Sequence, residues 1–255
     1  YFYNNKYLLL MRIISRIDIK NNFVIKGINL EGLRKIGDPL KIATEYYEDG
    51  IDEIMMIDAV ASLYGRNNLF NIIEKTTENI FVPITLGGGI RSLQDIEKAL
   101  KSGADKVAIN SHATENPNFI KEAVNTFGSS TITIYIEAKK IDEKKWEAYK
   151  YSGREKTGLN VIDWVKTVQD LGCGELLITS VDHEGLQKGF DLELINEINP
   201  FINVPLIING GCGKTDDIIQ VNNTYKNISF SIASAFHYKK ILIKELKYEK
   251  NLYPW

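Results

Sequence analysis

An internal repeat limits the architectures open to this chain more than any other feature. Arg16-Ile-Asp18-Ile-Lys20 returns as Tyr135-Ile-Glu137-Ala-Lys139, 119 positions later. Each copy is an apolar, strand-like run ending in an acid, an apolar residue and a lysine. Gly50-Ile-Asp-Glu53 returns as Gly172-Cys-Gly-Glu175, and Val82-Pro83 with Gly88-Gly89 returns as Val204-Pro205 with Gly210-Gly211, both 122 positions on. The two spacings differ by 3 residues (122 − 119), a small change in loop length. Two similar halves, each with an acid at the end of its first strand, predict one pocket with two facing carboxylates. That is the raw material of paired acid–base chemistry.

Short β-rich runs alternate with helical-period segments along the whole chain. Candidate strands are Arg12–Asp18, Glu53–Asp58, Ile84–Leu86, Lys106–Asn110, Thr131–Glu137, Glu175–Ser180, Leu206–Asn209 and Ile228–Ala233. Helical patterns fall at Pro39–Glu48, Asn67–Glu78, Ser92–Ser102, Asn118–Thr126, Val161–Leu171, Asp191–Ile198 and Thr215–Asn222. This alternation predicts a parallel sheet closed into a (β/α)8 TIM barrel, an α/β fold that uses about 250 residues as one domain. The chain has 255 residues and no proline- or serine-rich linker, so residues 11–255 are expected to form one barrel, with 1–10 as an extension ahead of Met11.

The apolar run Leu8–Leu10 with the strand after it is far too short to span a bilayer. A net charge of −2 argues against a nucleic-acid or anionic-membrane partner. Cys173 and Cys212 lack metal-ligand spacing, so neither a disulfide framework nor a zinc site is expected and a reducing cytoplasm fits. No cofactor is expected.

Strands of such a barrel are covered by helices, so charges within them need a reason. Alternation places Arg12, Ile14, Arg16 and Asp18 on one face of the first strand, and Thr133, Tyr135 and Glu137 on one face of the fifth. Arg12, Glu53, Lys106 and Glu175 each open a strand. They form either a ring of alternating sign at the N-terminal mouth or four separately solvated strand starts, and alternation alone favours the second.

Active sites of these barrels lie at the C-terminal strand ends. Here those ends carry Asp18, Asp58, Gly87-Gly88-Gly89, Asn110-Ser111, Glu137, Thr179-Ser180 with Asp182, Asn209-Gly210-Gly211 and Ala233-Ser234. Both glycine clusters precede a helix, with Ser92 and Thr215 as expected N-caps. Glycine exposes backbone N–H groups to an anion, and a helix N-terminus adds a favourable dipole. Two such turns at matching repeat positions, followed by Ser111 and Ser234 at the next strand ends, predict a ligand with a phosphate at each end. Lys26 lies in a loop or hairpin over residues 22–29, where a lone lysine is ordinarily a solvated charge. His112, His183 and His237 lack metal-ligand spacing and are read as incidental or supporting groups.

Together these residues resemble the cyclase subunit of imidazole glycerol phosphate synthase, of the histidine-biosynthesis barrel family. The likeness runs from about Arg12 to Lys247. It rests on Lys26-Gly with Asn29, Leu33-Arg34 and Gly37-Asp38-Pro39, then on Asp58 with Ala61-Ser62 and on Thr85-Leu-Gly-Gly-Gly-Ile-Arg91. Gly103-Ala-Asp-Lys-Val-Ala-Ile-Asn110, Tyr151-Ser-Gly153, Thr157-Gly158 and Thr179-Ser180 with Asp182 complete it. The isomerase relative shares the doubled barrel and both acids but fits less well after the first strand. The resemblance implies ammonia-dependent conversion of phosphoribulosyl-formimino aminoimidazole carboxamide ribonucleotide to imidazole glycerol phosphate and aminoimidazole carboxamide ribotide. It implies Asp18 and Glu137 as the acid–base pair and Lys26 on a mobile loop that closes over substrate. It implies Gly89, Asn110 and Ser111 at one phosphate and Gly185, Gly211, Ala233 and Ser234 at the other. Asp58, Ser152, Thr179 and Asn209 would line the pocket. Arg12, Glu53, Lys106 and Glu175 match the family's charged ammonia gate, where a glutaminase subunit docks, and this reverses the preference for separate strand starts.

The chain departs from the family at Glu137, where Asp is usual, at Arg16 (a small apolar or thiol residue), at Asn209 (serine) and at Glu184 (Asp). A Gly-Ala-Asp before the last strand is replaced by Lys226-Asn-Ile-Ser229. A buried Arg16 needs a partner, and Glu137, also at the top of the barrel, is a candidate. Altered pocket and intact gate keep two other readings open. One is a paralogue transferring ammonia to a sugar, with amidine formation, in surface-polysaccharide biosynthesis. The other is a weakly catalytic scaffold that activates a glutaminase.

Overall fold

Parallel strands with apolar residues on both faces need cover on one side and a partner surface on the other, and closing the sheet supplies both. The computed structural model describes residues 11–61, 69–225 and 227–248. The expected extension over 1–10, Ser62 of the family motif, the first residues of the helix expected from Asn67, and Lys226 lie outside them. Strands β1 (Ile13–Lys20), β2 (Glu53–Asp58), β3 (Ile84–Gly87), β4 (Lys106–Ile109) and β5 (Ile132–Asp142) pair in sequence, all parallel. β5 continues to β6 (Glu175–Ser180), then β7 (Leu206–Asn209) and β8 (Ile228–Ile232), and β8 pairs with β1 to close the (β/α)8 barrel.

The helices between strands bury one face against the outside of the barrel. Pro39–Glu48 starts at Asp38, whose side chain accepts from the Lys41 N–H at 3.0 Å, and buries Ala43 and Tyr46. Leu93–Lys101 begins with a capping box in which Ser92 Oγ accepts from Asp95 N–H and the Asp95 carboxylate accepts from Ser92 N–H. Thr215, expected as an N-cap, is instead the first helical residue of Thr215–Thr224. The Asp217 carboxylate ties that turn down by accepting from the Gly213 and Lys214 N–H groups. Cys173 and Cys212 are buried and free.

The barrel interior is layered, as alternation along the strands requires. At the N-terminal end, Arg12, Glu53, Lys106 and Glu175 form a closed ring of ion pairs, reinforced by Thr85 donating to Glu53 and Thr133 donating to Glu175. Above it Ile14, Met55, Ala108, Tyr135, Leu177 and Ile207 belong to a buried apolar cluster separate from the larger helix-facing core. Arg16, Thr179 and Asn209 follow, and Asp18 and Glu137 stand near the C-terminal rim.

Two hairpins rise from that rim at matching places in the repeat. After β1, Phe23–Ile28 and Glu31–Gly37 pair antiparallel around Asn29 and Leu30, both with positive φ (50° and 64°), as a two-residue hairpin turn demands. After β5, whose end extends beyond the expected Glu137, Lys145–Lys150 and Glu155–Asn160 form a second hairpin with its turn at Tyr151, Ser152 and Gly153.

Candidate active site

Asp18 and Glu137 line one cavity of about 850 Å³, open solvent included, at the C-terminal mouth. Lys26, Asp58, Gly89, Asn110, Ser111 and Ser152 line it too, so the structure gathers these expected residues around the two acids. Gly185, Asn209, Gly211, Ala233 and Ser234 come together in a smaller recess of about 210 Å³. Lys26 lines the first space and Glu184 the second, and the buried ion pair between them stands at the boundary.

The two glycine turns need their glycines. Gly88 has φ 89°, and a Cβ there would collide with the Asp58 backbone. Gly211 has φ 101°, and a Cβ would collide with the Gly189 carbonyl. Arg91, two residues past the first turn, and Arg154, from the second hairpin, line this cavity together with Asp58. The second recess has instead the Glu184 carboxylate, whose Oε2 is buried without a hydrogen-bond partner, as is Ser231 Oγ. The halves match in backbone and differ in charge.

Arg16 is 2 % exposed and makes four hydrogen bonds. Its Nε donates to Asp18 Oδ1 at 2.8 Å, Nη1 donates to Thr179 Oγ1 and Asn209 Oδ1, both at 3.1 Å, and Nη2 donates to Tyr135 Oη at 3.1 Å. The guanidinium also lies 5.1 Å from the Tyr135 ring centroid. The candidate partner, Glu137, is corrected to Asp18: Arg16 and Asp18 are i and i+2 on one strand face, so the guanidinium meets its own strand's acid first. Thr179, expected to line the cavity, sits against the guanidinium, its hydroxyl directed at Asn209 Oδ1 at 3.0 Å.

Lys26 is on the first hairpin's first strand, 3 % exposed, and bonded to Glu184 with its Nζ 3.9 Å from Asp18 Oδ2. Burial and pairing replace the solvated charge that a lone lysine ordinarily is. The Asn29 N–H donates to the Glu184 carbonyl at 2.8 Å, so the hairpin tip rests on the loop after β6.

The two acids have opposite environments. Burial alone would raise Asp18, but the Arg16 guanidinium and the Lys26 ammonium outweigh it and hold this carboxyl below its ordinary value. Burial dominates at Glu137 and raises it to about 7, against the Gly153 N–H, Arg16, Tyr135 and Asn110, which favour its charged form. Gly153 N–H donates to Glu137 Oε2 at 2.8 Å, Tyr151 N–H donates to Ser111 Oγ at 3.1 Å, and Ser152 Oγ donates to the Ala59 carbonyl at 2.8 Å. One tight turn thus links the first glycine cradle to the second acid.

Sequence reading passed over Tyr135, Arg154 and His237 as site residues. His237 Nδ1 is 2.7 Å from Tyr46 Oη, and burial, helped by Lys26 and opposed by Asp18, lowers it to about 4. It is therefore neutral near pH 7. The signal for Tyr135 was its place two residues before Glu137 on the same face.

A closed (β/α)8 barrel with glycine-rich turns and two carboxyl groups in one cavity at its C-terminal mouth is of the TIM-barrel class. Residues 12–242 match the family described as histidine biosynthesis protein, and the chain belongs to it. It is 49% identical over 207 residues to imidazole glycerol phosphate synthase subunit HisF of Legionella pneumophila, covering 81% of this chain and 98% of that one. It is 43% identical over 240 residues to subunit HisF of Bacillus cereus (strain Q1), covering 94% and 95%. It is 42% identical over 250 residues to the Lactococcus lactis protein of the same name, covering 97% and 96%. Among the described residues no helix is long and apolar enough to cross a membrane.

Proposed function

We propose that the chain is the cyclase subunit of an imidazole glycerol phosphate synthase. It accepts ammonia and converts phosphoribulosyl-formimino aminoimidazole carboxamide ribonucleotide to imidazole glycerol phosphate and aminoimidazole carboxamide ribotide. The observation that carries this is the placing of Asp18 and Glu137, one charged and one poised near neutrality, in a single cavity bounded by a glycine cradle. One group fixed as an anion and one able to hold or release a proton is what a sequence of addition, ring closure and elimination requires.

In this reading Gly89, Asn110 and Ser111 hold one phosphate, with Arg91 and Arg154 beside them, and Gly185, Gly211, Ala233 and Ser234 hold the other. Lys26 caps the pocket from the first hairpin, and Asp58 and Ser152 bound it. The ring of Arg12, Glu53, Lys106 and Glu175 faces the opposite end, where a glutaminase subunit supplies ammonia. The complex works in the cytoplasm, without nucleic acid, membrane or cofactor.

A second reading, ammonia transfer to an activated surface-polysaccharide sugar, is favoured by one observation: the recess assigned to the second phosphate contains the Glu184 carboxylate and no free cation among its lining residues. Purified chain with ammonium salt and the ribonucleotide separates them. Formation of both products supports the first reading. Ribonucleotide inert while an amidine forms on the sugar supports the second, and stimulation of a glutaminase without either product leaves only the activating scaffold.

A further inference from the structure

Arg16 has no counterpart in the repeat, where Tyr135 occupies its place on β5. Its four bonds use four of the five guanidinium N–H donors and reach β1, β5, β6 and β7. The side chain is thereby fixed across the barrel axis, under the floor of the cavity it lines. Only one of the two acids receives a bond from it: Asp18 does, through Nε, while Glu137 is reached through the phenol of Tyr135.

We propose that Arg16 is a positioning residue that breaks the symmetry of the two-acid site, holding Asp18 as a permanent anion so that Glu137 alone exchanges a proton with the substrate. This rests on the cyclase reading for the chemistry but not for the division of charge. The surroundings on every side agree with it. Asp18 faces Arg16 on its own strand, Lys26 from the first hairpin and His237 from the segment after β8, while Glu184 is bound up with Lys26. Glu137 faces Tyr135 on its own strand, the Arg16 guanidinium from β1, which acts on it by charge without a bond, Asn110 from the end of β4, the paired Tyr149 and the Gly153 N–H from the second hairpin, and no cation bonds to it among the described residues. Burial then acts on the two carboxyls with opposite net results: the one bonded to a guanidinium stays ionised and the one bonded only to neutral donors is raised to about 7. The proton that Glu137 takes from one substrate atom is returned to another, and Asp18 acts throughout by charge.

The test follows both carboxyls directly. The full chain carrying carboxyl-13C aspartate and glutamate is titrated by NMR, with Asp18→Asn and Glu137→Gln identifying the two signals. In the unsubstituted chain Glu137 is expected to titrate near 7 and Asp18 below the ordinary aspartate range. In Arg16→Gln, the Asp18 signal is expected to move up by roughly 1–3 pH units, the effect of removing an adjacent opposite charge. The kcat profile, measured at constant free ammonia, then gains a new acid limb along which turnover falls about tenfold per pH unit. Arg16→Lys, which keeps the charge, restores a low Asp18 and removes that limb. A kcat profile for Arg16→Gln that is only scaled down, or an Asp18 signal that does not move, overturns the proposal. So does an unsubstituted chain in which Asp18 titrates at or above Glu137, a result that needs no variant to fold. If the ribonucleotide is inert but the carboxyl signals behave as stated, the cyclase reading fails and the charge division stands.

Discussion

The ends of β1 and β5 occupy equivalent places in a duplicated barrel, yet they are electrostatic opposites. At the first, an acid is clasped by Arg16 with Lys26 close by and stays ionised. At the second, an acid with the same burial has a backbone N–H, a phenol and an amide around it and is raised to about 7. Duplication supplies two carboxyls at matching positions, and the neighbours decide what each one does. The two spaces repeat the lesson: arginines are among the lining of the first, and a glutamate carboxylate but, among the described residues, no cation lines the second.

The largest effect expected is on chemistry. Glu137→Gln should lower ammonia-driven kcat by about 10²–10⁴-fold, the range for a positioned acid or base, and Asp18→Asn, which removes the fixed charge, by about 10²–10³-fold, each with an unchanged circular dichroism spectrum. Full activity in either would remove that residue from the pair. At the other end of the barrel, Glu53→Gln leaves Arg12 and Lys106 sharing the single carboxylate of Glu175. Glu53 is 1 % exposed but Arg12 is 26 % exposed, so a loss of roughly 3 kcal/mol, the low end for breaking a buried pair, is expected from denaturant unfolding. Glutamine-driven turnover with a glutaminase should fall further than turnover with free ammonia; equal losses would disconnect the ring from nitrogen delivery.

The contrast between the acids also has a pH signature. Glu137 is raised on folding from 4.5 to about 7, so the folded state gives up stability as pH rises through that window. Relative to the unsubstituted chain, Glu137→Gln should gain up to about 1.4 kcal/mol per pH unit across it, seen as diverging unfolding midpoints. Asp18, lowered on folding, works the other way: its contribution is present above the unfolded value and is lost as pH falls toward the folded one. The smallest effect sits outside the site. Ser92→Ala removes one half of the capping box on Leu93–Lys101 and should cost about 1 kcal/mol in unfolding experiments without changing the pH profile.

Much of the barrel was legible because strand and helix periods are local properties of the chain. Glu53–Asp58, Glu175–Ser180, Leu206–Asn209 and Pro39–Glu48 form over the residues their patterns mark. The second hairpin was not seen. Its stretch is rich in lysine and glutamate, and the buried Trp146, Ala148 and Tyr149 that anchor it break strict alternation. The short helices Ser111–Glu115 and Ser234–His237, and Ile243–Tyr248 near the end of the described chain, are too brief for periodicity to mark. Both acids could be placed from strand ends alone, whereas the four charged strand starts read as separately solvated until the family resemblance joined them into a ring. The partner of Arg16 could not, because it depends on which of two nearby carboxyls a flexible side chain reaches. Nor could the pairing of Lys26 with Glu184, 158 positions apart.

Leu30 at the tip of the first hairpin adopts a left-handed backbone with φ 64°, which a branched, bulky residue tolerates at a cost of about 1–3 kcal/mol. The neighbouring Asn29 bond to Glu184 and the approach of the Leu30 side chain to Gly153 hold it there. Leu30 thus brings the tip of the first hairpin against the turn of the second, so the two duplicated insertions brace one another over the mouth instead of standing as separate loops.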